Sequence, residues 1–249
     1  MTWQLDGAHA LVTGAGSGIG RAVALALSDK GARILATDVI EESAMATAED
    51  IAKRGGNAAG RKLDVLSASE IEAARRETSD DPVSVIVNCA GFEKAARFTE
   101  SDPADWQAIL DGNLLSVARV THAFIPGMIA SGQGGRIVSI SSDAGRVGSP
   151  DETLYSAAKA GVVGFSKALA REMIKHAITV NCVSPGPVDT PFFHALPERT
   201  RTRLIKAIPA RRLARPSEVA AAVAYFAGGE AGYVTGQVLS VSGGLTMVG

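Results

Sequence analysis

An α/β fold, with a doubly wound parallel sheet of about seven strands and helices on both faces, is what this 249-residue sequence predicts. Three observations carry that prediction. Short β-branched runs alternate with longer segments of helical periodicity along the whole chain. The short runs are apolar throughout rather than every second residue, as strands covered on both faces require. No linker, low-complexity tract or composition break divides the chain. With 46% apolar and 20% charged residues, a chain of this length can enclose one sizeable core, so one domain over residues 1–249 is expected.

The strands are predicted at Ala8–Thr13, Arg33–Thr37, Arg61–Asp64, Ser84–Asn88, Arg136–Ser141, Thr179–Val183 and Val238–Val241. Helices are predicted near Gly18–Lys30, Glu41–Arg54, Ala68–Glu77, Pro103–Ala130, Thr153–His176 and Ser217–Ala227. The rhythm breaks once, between Val183 and Ser217, in a proline-rich stretch with only a short helical piece around Glu198–Ala207. Long irregular insertions in compact domains are usually functional. This one follows the C-terminal end of a strand, the ligand side of an open α/β sheet, so residues 187–215 read as a substrate lid.

Several function classes are disfavoured. A net charge of −1 offers no surface for nucleic acid. The densest basic stretch, Arg199 to Arg215, is broken by apolar residues and reads as a solvated helix face or a loop near a negative ligand. No run approaches the ~20 apolar residues of a membrane span, and the N-terminus lacks the basic and apolar regions of a secretory signal. Cys89 and Cys182 each end an apolar run and suit reduced thiols of a cytoplasmic protein. The four histidines show no ligand spacing, so no metal site is expected.

The first strand runs directly into Thr13-Gly14-Ala15-Gly16-Ser17-Gly18-Ile19-Gly20, and a helical pattern follows. A glycine-rich turn between strand and helix lets the backbone approach a pyrophosphate at the positive helix N-terminus, the Rossmann-type arrangement. Asp38, ending the second strand, can accept hydrogen bonds from the adenosine ribose hydroxyls and would repel a 2′-phosphate. Neither Ala15 nor Val39 is a cation, so NAD is the expected cofactor. Asp64-Val65 and Asn88-Cys89-Ala90-Gly91 end the next two strands, where the adenine and second ribose should pass.

Ser141-Ser142 closes the fifth strand, and Tyr155 and Lys159 follow on one helical face. A phenol normally titrates near ~10, and an adjacent ammonium favours its ionised form. Tyr155 could thus exchange a proton with a carbonyl or alcohol oxygen that Ser142 holds in place. The hydride would come from the nicotinamide.

Over essentially its whole length the chain resembles the short-chain dehydrogenase/reductase family. The resemblance rests on Thr13–Gly20, Asn88–Gly91, Asn113, Ser142, Tyr155-Ser-Ala-Ala-Lys159 and Pro185-Gly-Pro-Val-Asp-Thr190. It implies that Asn113, Ser142, Tyr155 and Lys159 are catalytic, with Asn113 distorting its helix and holding a water that links Lys159 to solvent. It implies cofactor contacts from Gly14, Ser17, Gly18, Ile19, Gly20, Asp38, Asp64, Val65, Asn88, Ala90 and Gly91. Tyr155, Lys159, Pro185, Gly186, Val188 and Thr190 complete that set. Cys89 departs from the family, where a second Asn is usual. A homotetramer is implied as well, with the helices near Pro103–Ala130 and Thr153–His176 between subunits and Ala157, Ala158, Ala160, Gly161 and Gly164 permitting close approach.

Within the family, Ser142-Asp-Ala-Gly-Arg-Val-Gly148 is similar to members that act on hydroxyacyl-CoA thioesters. The expected reaction is therefore NAD-dependent oxidation of a β-hydroxyacyl-CoA, such as 2-hydroxycyclohexanecarboxyl-CoA. Ser142, Asp143, Arg146, Val147 and Tyr155 would face the substrate, with Phe92, Leu154, Phe192 and Phe193 as apolar walls. Arg146 could equally pair with Asp143 or Glu152. Reduction of a 3-oxoacyl group on carrier protein is the alternative, and ordinary secondary alcohols are a third. Against the carrier protein, Gln133 and His176 stand where such reductases present basic residues. A dinucleotide-binding regulator without turnover would be expected to have lost Tyr155, Lys159 or the glycine turn.

Overall fold

The computed structural model describes residues 3–196 and 198–248, except the side chain of Phe192. Seven parallel strands form one sheet: β1 (His9–Thr13), β2 (Arg33–Asp38), β3 (Ala58–Lys62), β4 (Val85–Asn88), β5 (Gly135–Ile140), β6 (Ile178–Pro185) and β7 (Val238–Val241). Their spatial order is β3-β2-β1-β4-β5-β6-β7. The order reverses between β1 and β4, so the crevice above their C-terminal ends is where an open α/β sheet takes ligands.

Two helical layers cover the sheet. On one face, α1 (Gly18–Ser28) packs against α10 (Pro216–Ala227) over a core that includes Val12, Ala36, Val87 and Val138. The other face carries α3 (Ala68–Glu77), α5 (Ser116–Ser131) and α7 (Thr153–Met173), which cover Leu11, Leu35, Ile86, Ile137 and Val180. Successive strand residues point to opposite faces, so strands feeding both cores must be apolar at every position. That is why β4, Val85–Asn88, is buried from end to end.

Two elements differ from the expectation. The third strand is Ala58–Lys62 rather than Arg61–Asp64, in register from Ile34↔Ala58 to Asp38↔Lys62. Its small residues lack the β-branched signature for a spatial reason. Helix α2 (Glu41–Lys53) lies so close that a Cβ on Gly60 would sit 2.5 Å from Met45 Cα.

The long helix expected at Pro103–Ala130 is broken into α4 (Pro103–Leu110), a π-helical turn (Asp111–Leu115) and α5. By length and composition Pro103–Ser131 could cross a membrane. Here it packs on the sheet through Val117, Val120, Phe124 and Met128, all buried. Its charges Asp111 and Arg119 pair at 2.8 Å.

Candidate active site

Above the C-terminal ends of β1 and β4 lies a hollow of about 550 Å³, bounded by the glycine-rich turn, Asp38, Asp64 to Leu66 and Cys89 to Phe92. Asp38 braces that turn: Oδ2 accepts from Gly16 N (3.0 Å) and Oδ1 from Ile40 N (3.0 Å). Gly16 is small because Asp38 and Ser43 press on it. An added Cβ would stand 2.6 Å from Ser43 Cβ and 2.8 Å from Asp38 Oδ2. Gly16→Ala is accordingly expected to weaken dinucleotide affinity at least about tenfold by displacing Asp38, with calorimetric titration as the check.

Thr13, expected only as the first residue of the turn motif, ties the two strand ends together. Its Oγ1 accepts from Cys89 N (3.0 Å) and Ala90 N (3.1 Å). Asn88 is not on the wall of the hollow. Its side chain is buried and donates to Thr121 Oγ1 (3.1 Å) and Ser139 Oγ (3.3 Å), clamping β4 to its neighbours. Its side chain thus holds the strand end. Gly14, Ser17, Gly18, Ile19, Gly20, Asp64, Val65, Ala90 and Gly91 do line the hollow. The shape and chemistry suit a dinucleotide: a carboxylate for the ribose, a glycine turn for the pyrophosphate, and Lys159 as the one cation among the described lining residues.

A second cavity of about 380 Å³ adjoins the first, and Ile19, Ile140, Tyr155 and Thr190 line both. Tyr155 therefore stands at the junction, with Ser142 on the side of the second cavity. Lys159 is buried within α7; its Nζ lies 5.6 Å from the Tyr155 ring centroid and donates to Ile140 O (3.0 Å). Asn113 occupies the π turn, where Nδ2 donates to Phe92 O (2.7 Å) and Ile109 O (3.0 Å). Its Oδ1 is buried without a protein donor among the described residues. A Cβ on Gly91 would meet Asn113 Oδ1 at 2.7 Å and Lys159 Nζ at 3.4 Å, so this glycine keeps the two polar groups facing a common space.

The electrostatics correct one expectation, that Lys159 draws the Tyr155 phenol below its ordinary range. Burial instead pushes the phenol well above it, and Glu93 and then Glu152 push the same way, while a hydrogen bond from Ser142 opposes them. Burial also lowers Lys159 to about 8. In this state Tyr155 is firmly a phenol, hence a proton donor to a carbonyl oxygen. The thiols of Cys89 and Cys182 are raised by burial to about 12 and about 11, which keeps them protonated and unreactive.

The walls of the second cavity differ from those expected. Asp143, Val147 of the short α6 (Ala144–Val147), Phe193, Pro185, Gly186 and Val188 line it, the last three on this side rather than the dinucleotide side. Arg146 does not reach it, because its guanidinium turns to Asp143 Oδ1 (3.9 Å) and the Val248 carbonyl. Asp143 is itself held by Ser240 Oγ at 2.7 Å. Phe92 sits over Gly112 on the dinucleotide side, and Leu154 faces a separate small hollow with Phe98 and Trp106. Phe192 is expected here too, but its side chain lies outside the described residues.

Residues not foreseen as substrate walls complete the cavity: Glu93, Glu152, Leu196 and Leu204, with Leu245 and Thr246 from the tail. Described residues of the segment from 187 to 215 line it, from Pro187 to Leu204. The segment's ends are joined by Asp189 N to Ala214 O (2.8 Å) and Ala214 N to Pro187 O (3.1 Å), and it holds α8 (Pro191–His194) and α9 (Glu198–Ala207).

Residues 14–246 match the protein family described as Enoyl-(Acyl carrier protein) reductase. Among curated proteins, the chain is 39% identical over 247 residues to the 3-oxoacyl-(acyl-carrier-protein) reductase FabG of Vibrio cholerae, covering 98% of this chain and 100% of that one. It is 38% identical over the same shares to the Escherichia coli reductase of that name. It is 38% identical to Nodulation protein G of a Rhizobium species, covering 99% of this chain and 100% of that one.

Proposed function

The chain belongs to the short-chain dehydrogenase/reductase family, and from that premise we propose that it reduces a 3-oxoacyl thioester reversibly to the 3-hydroxyacyl thioester, with NAD(H) as its cofactor. It is an oxidoreductase of the CH–OH/ketone pair. One observation carries the reading: Tyr155, a phenol kept protonated by burial, stands where a dinucleotide-sized hollow opens into a substrate-sized cavity.

When bound, the reduced nicotinamide supplies the hydride to the ketone carbon. Tyr155 gives its proton to the ketone oxygen, and Ser142, on the same cavity wall, steadies that oxygen as charge develops on it. Lys159 is close enough to stabilise the phenolate left behind. Its lowered affinity for protons readies it to pass one on, with Asn113 Oδ1 an acceptor facing the same space. The oxidation uses the same groups in reverse.

Carrier protein displaces CoA as the preferred carrier, because two of the three relatives named above are 3-oxoacyl-(acyl-carrier-protein) reductases. The lid supports an anionic carrier. Seven cationic side chains fall between residues 199 and 215, on a chain whose net charge is −1. Arg199, Arg203 and Lys206 form one exposed stripe of α9, while Leu204 of the same helix lines the cavity. Positive charge at a cavity mouth steers an acidic carrier and loses that effect as salt rises. Reversing all three charges should raise KM for a carrier-bound 3-oxoacyl substrate at least about fivefold at low ionic strength and flatten its salt dependence.

The deciding experiment is cofactor-linked turnover of matched 3-oxoacyl groups on carrier protein and on CoA, beside plain secondary alcohols. Preference for the thioesters supports the reading. Efficient turnover of the alcohols alone refutes it. A CoA substrate used about tenfold better than carrier protein would return the carrier to CoA.

We further propose one catalytic domain with residues 187–215 as its lid, assembled as a homotetramer. On α7, Ala157, Ala160 and Gly164 are exposed and free for close approach, whereas Ala158 is buried in its own subunit and Gly161 abuts Leu114. A stable monomer in sedimentation would refute the assembly.

A further inference from the structure

Two carboxyl groups face each other on the wall of the substrate cavity. Glu93 comes from the loop after β4 and Glu152 from the residue preceding α7, and both line the cavity beside Tyr155. Glu93 Oε1 is withdrawn from solvent and has no hydrogen-bond donor among the described residues. Its neighbour within hydrogen-bond reach is the Glu152 carboxyl. Two carboxylates cannot meet in a partly buried wall with both ionised, so one proton is shared between them.

The other charged groups nearby do not neutralise the pair. Lys94 is drawn to Asp105 at 2.6 Å, and Arg146 to Asp143. Lys159 is engaged by Ile140 O. Tyr155, on α7, faces the pair as a neutral phenol, with the Cys89 thiol behind it also neutral. Among the described residues, the lid contributes Pro187, Val188, Thr190, Phe193, Leu196 and Leu204, none of them ionisable.

We propose that the Glu93–Glu152 pair is a specificity element of this site: it donates its shared proton to the thioester carbonyl of a 3-oxoacyl group and repels a carboxylate in the same place. The inference rests on the thioester reading above. In a 3-oxoacyl group a single methylene separates the ketone from the thioester carbonyl. With the ketone oxygen at Tyr155 and Ser142, the second carbonyl would lie in the same cavity, which Glu93 and Glu152 also line. A free 3-oxoacid would put a carboxylate there, against two carboxyls. Burial first, and then the charge and hydrogen bond of Glu152, raise Glu93 to about 8, so the donor persists at neutral pH and is lost in mild alkali.

The test compares acetoacetyl-CoA with free acetoacetate between pH 6 and 9, using the wild type, Glu93→Gln and Glu152→Gln. In the wild type KM for the thioester should rise about fivefold from pH 7 to pH 9, the loss of roughly one hydrogen bond. Glutamine at position 93 keeps a donor at every pH and removes a charge. That rise should then shrink below about twofold, and the preference for thioester over free acid should fall at least about tenfold.

A stability readout is independent of substrate. The folded-state affinity of Glu93 for its proton is raised, so its ionisation destabilises the fold as pH rises from about 4.5 towards about 8. Glu93→Gln should therefore raise Tm more at pH 8 than at pH 5.

If the wild type reduces acetoacetyl-CoA but Glu93→Gln keeps both the pH rise and the discrimination, the pair has no specificity role and the thioester reading stands. A variant that loses kcat with KM and discrimination unchanged would make the pair a proton supply and overturn the proposal. If the wild type reduces neither this thioester nor its carrier-protein counterpart, both readings fall. Should Glu93→Gln fail to fold, Glu152→Gln tests the pair from the other side: without the like charge that helps hold the proton on Glu93, the rise in KM should move to lower pH, and a rise left where it was would overturn the proposal.

Discussion

Tyr155→Phe is expected to cut kcat by about 10³-fold in the direction of ketone reduction, the scale of a lost general acid. The ring, its packing and the neighbouring Lys159–Ile140 hydrogen bond all remain, so dinucleotide affinity should change by less than about threefold. Stopped-flow hydride transfer with equilibrium binding of NADH separates the two. Residual turnover at one tenth of the wild-type rate would remove Tyr155 from the proton path.

The second large effect concerns Asp38 and the choice of dinucleotide. Opposite or like unit charges 4 Å apart interact by about 4 kcal/mol at an effective dielectric of 20. A carboxylate beside a 2′-phosphate therefore opposes NADP by about 10²–10³-fold in kcat/KM even after screening by salt. No lining cation among the described residues, Lys159 apart, offsets it. Asp38→Asn should erase most of that discrimination. It should also cost about 1 kcal/mol of stability, because an amide can accept from only one of Gly16 N and Ile40 N. A wild type that prefers NADP would contradict the NAD reading outright. A variant with unchanged preference would locate the selectivity elsewhere.

Both effects rest on residues that the linear order of amino acids already marks. Tyr155 and Lys159 share a helical face by spacing alone, and Asp38 ends a strand recognisable from its apolar run. The glycine turn is similarly legible, because each glycine answers a local or nearly local constraint. At Gly20, a Cβ would lie 2.0 Å from Gly14 O, only six residues back.

Other features are not legible in this way. The π turn at Asp111–Leu115 has no periodic signature: only the family resemblance marks a distortion at Asn113, whose side chain donates to Phe92 O, from a different loop. The edge strand Ala58–Lys62 is spelled in small residues because α2 crowds it. Arg146 follows Ser142 closely enough to suggest a substrate contact. The carbonyl that draws it away belongs to Val248, at the far end of the chain.

The class of fold, the reaction type and the side of the sheet where ligands bind are thus dictated by the chain's linear pattern. They follow from periodicities of two or four residues and from motifs spanning fewer than ten. The walls of the substrate cavity are fixed only by folding, because loop, lid and tail meet there from distant parts of the chain. The protonation of the site is fixed the same way. How far Tyr155, Lys159 and Glu93 depart from their ordinary titration depends on burial and on which charges become neighbours, and both arise only when the chain closes around them.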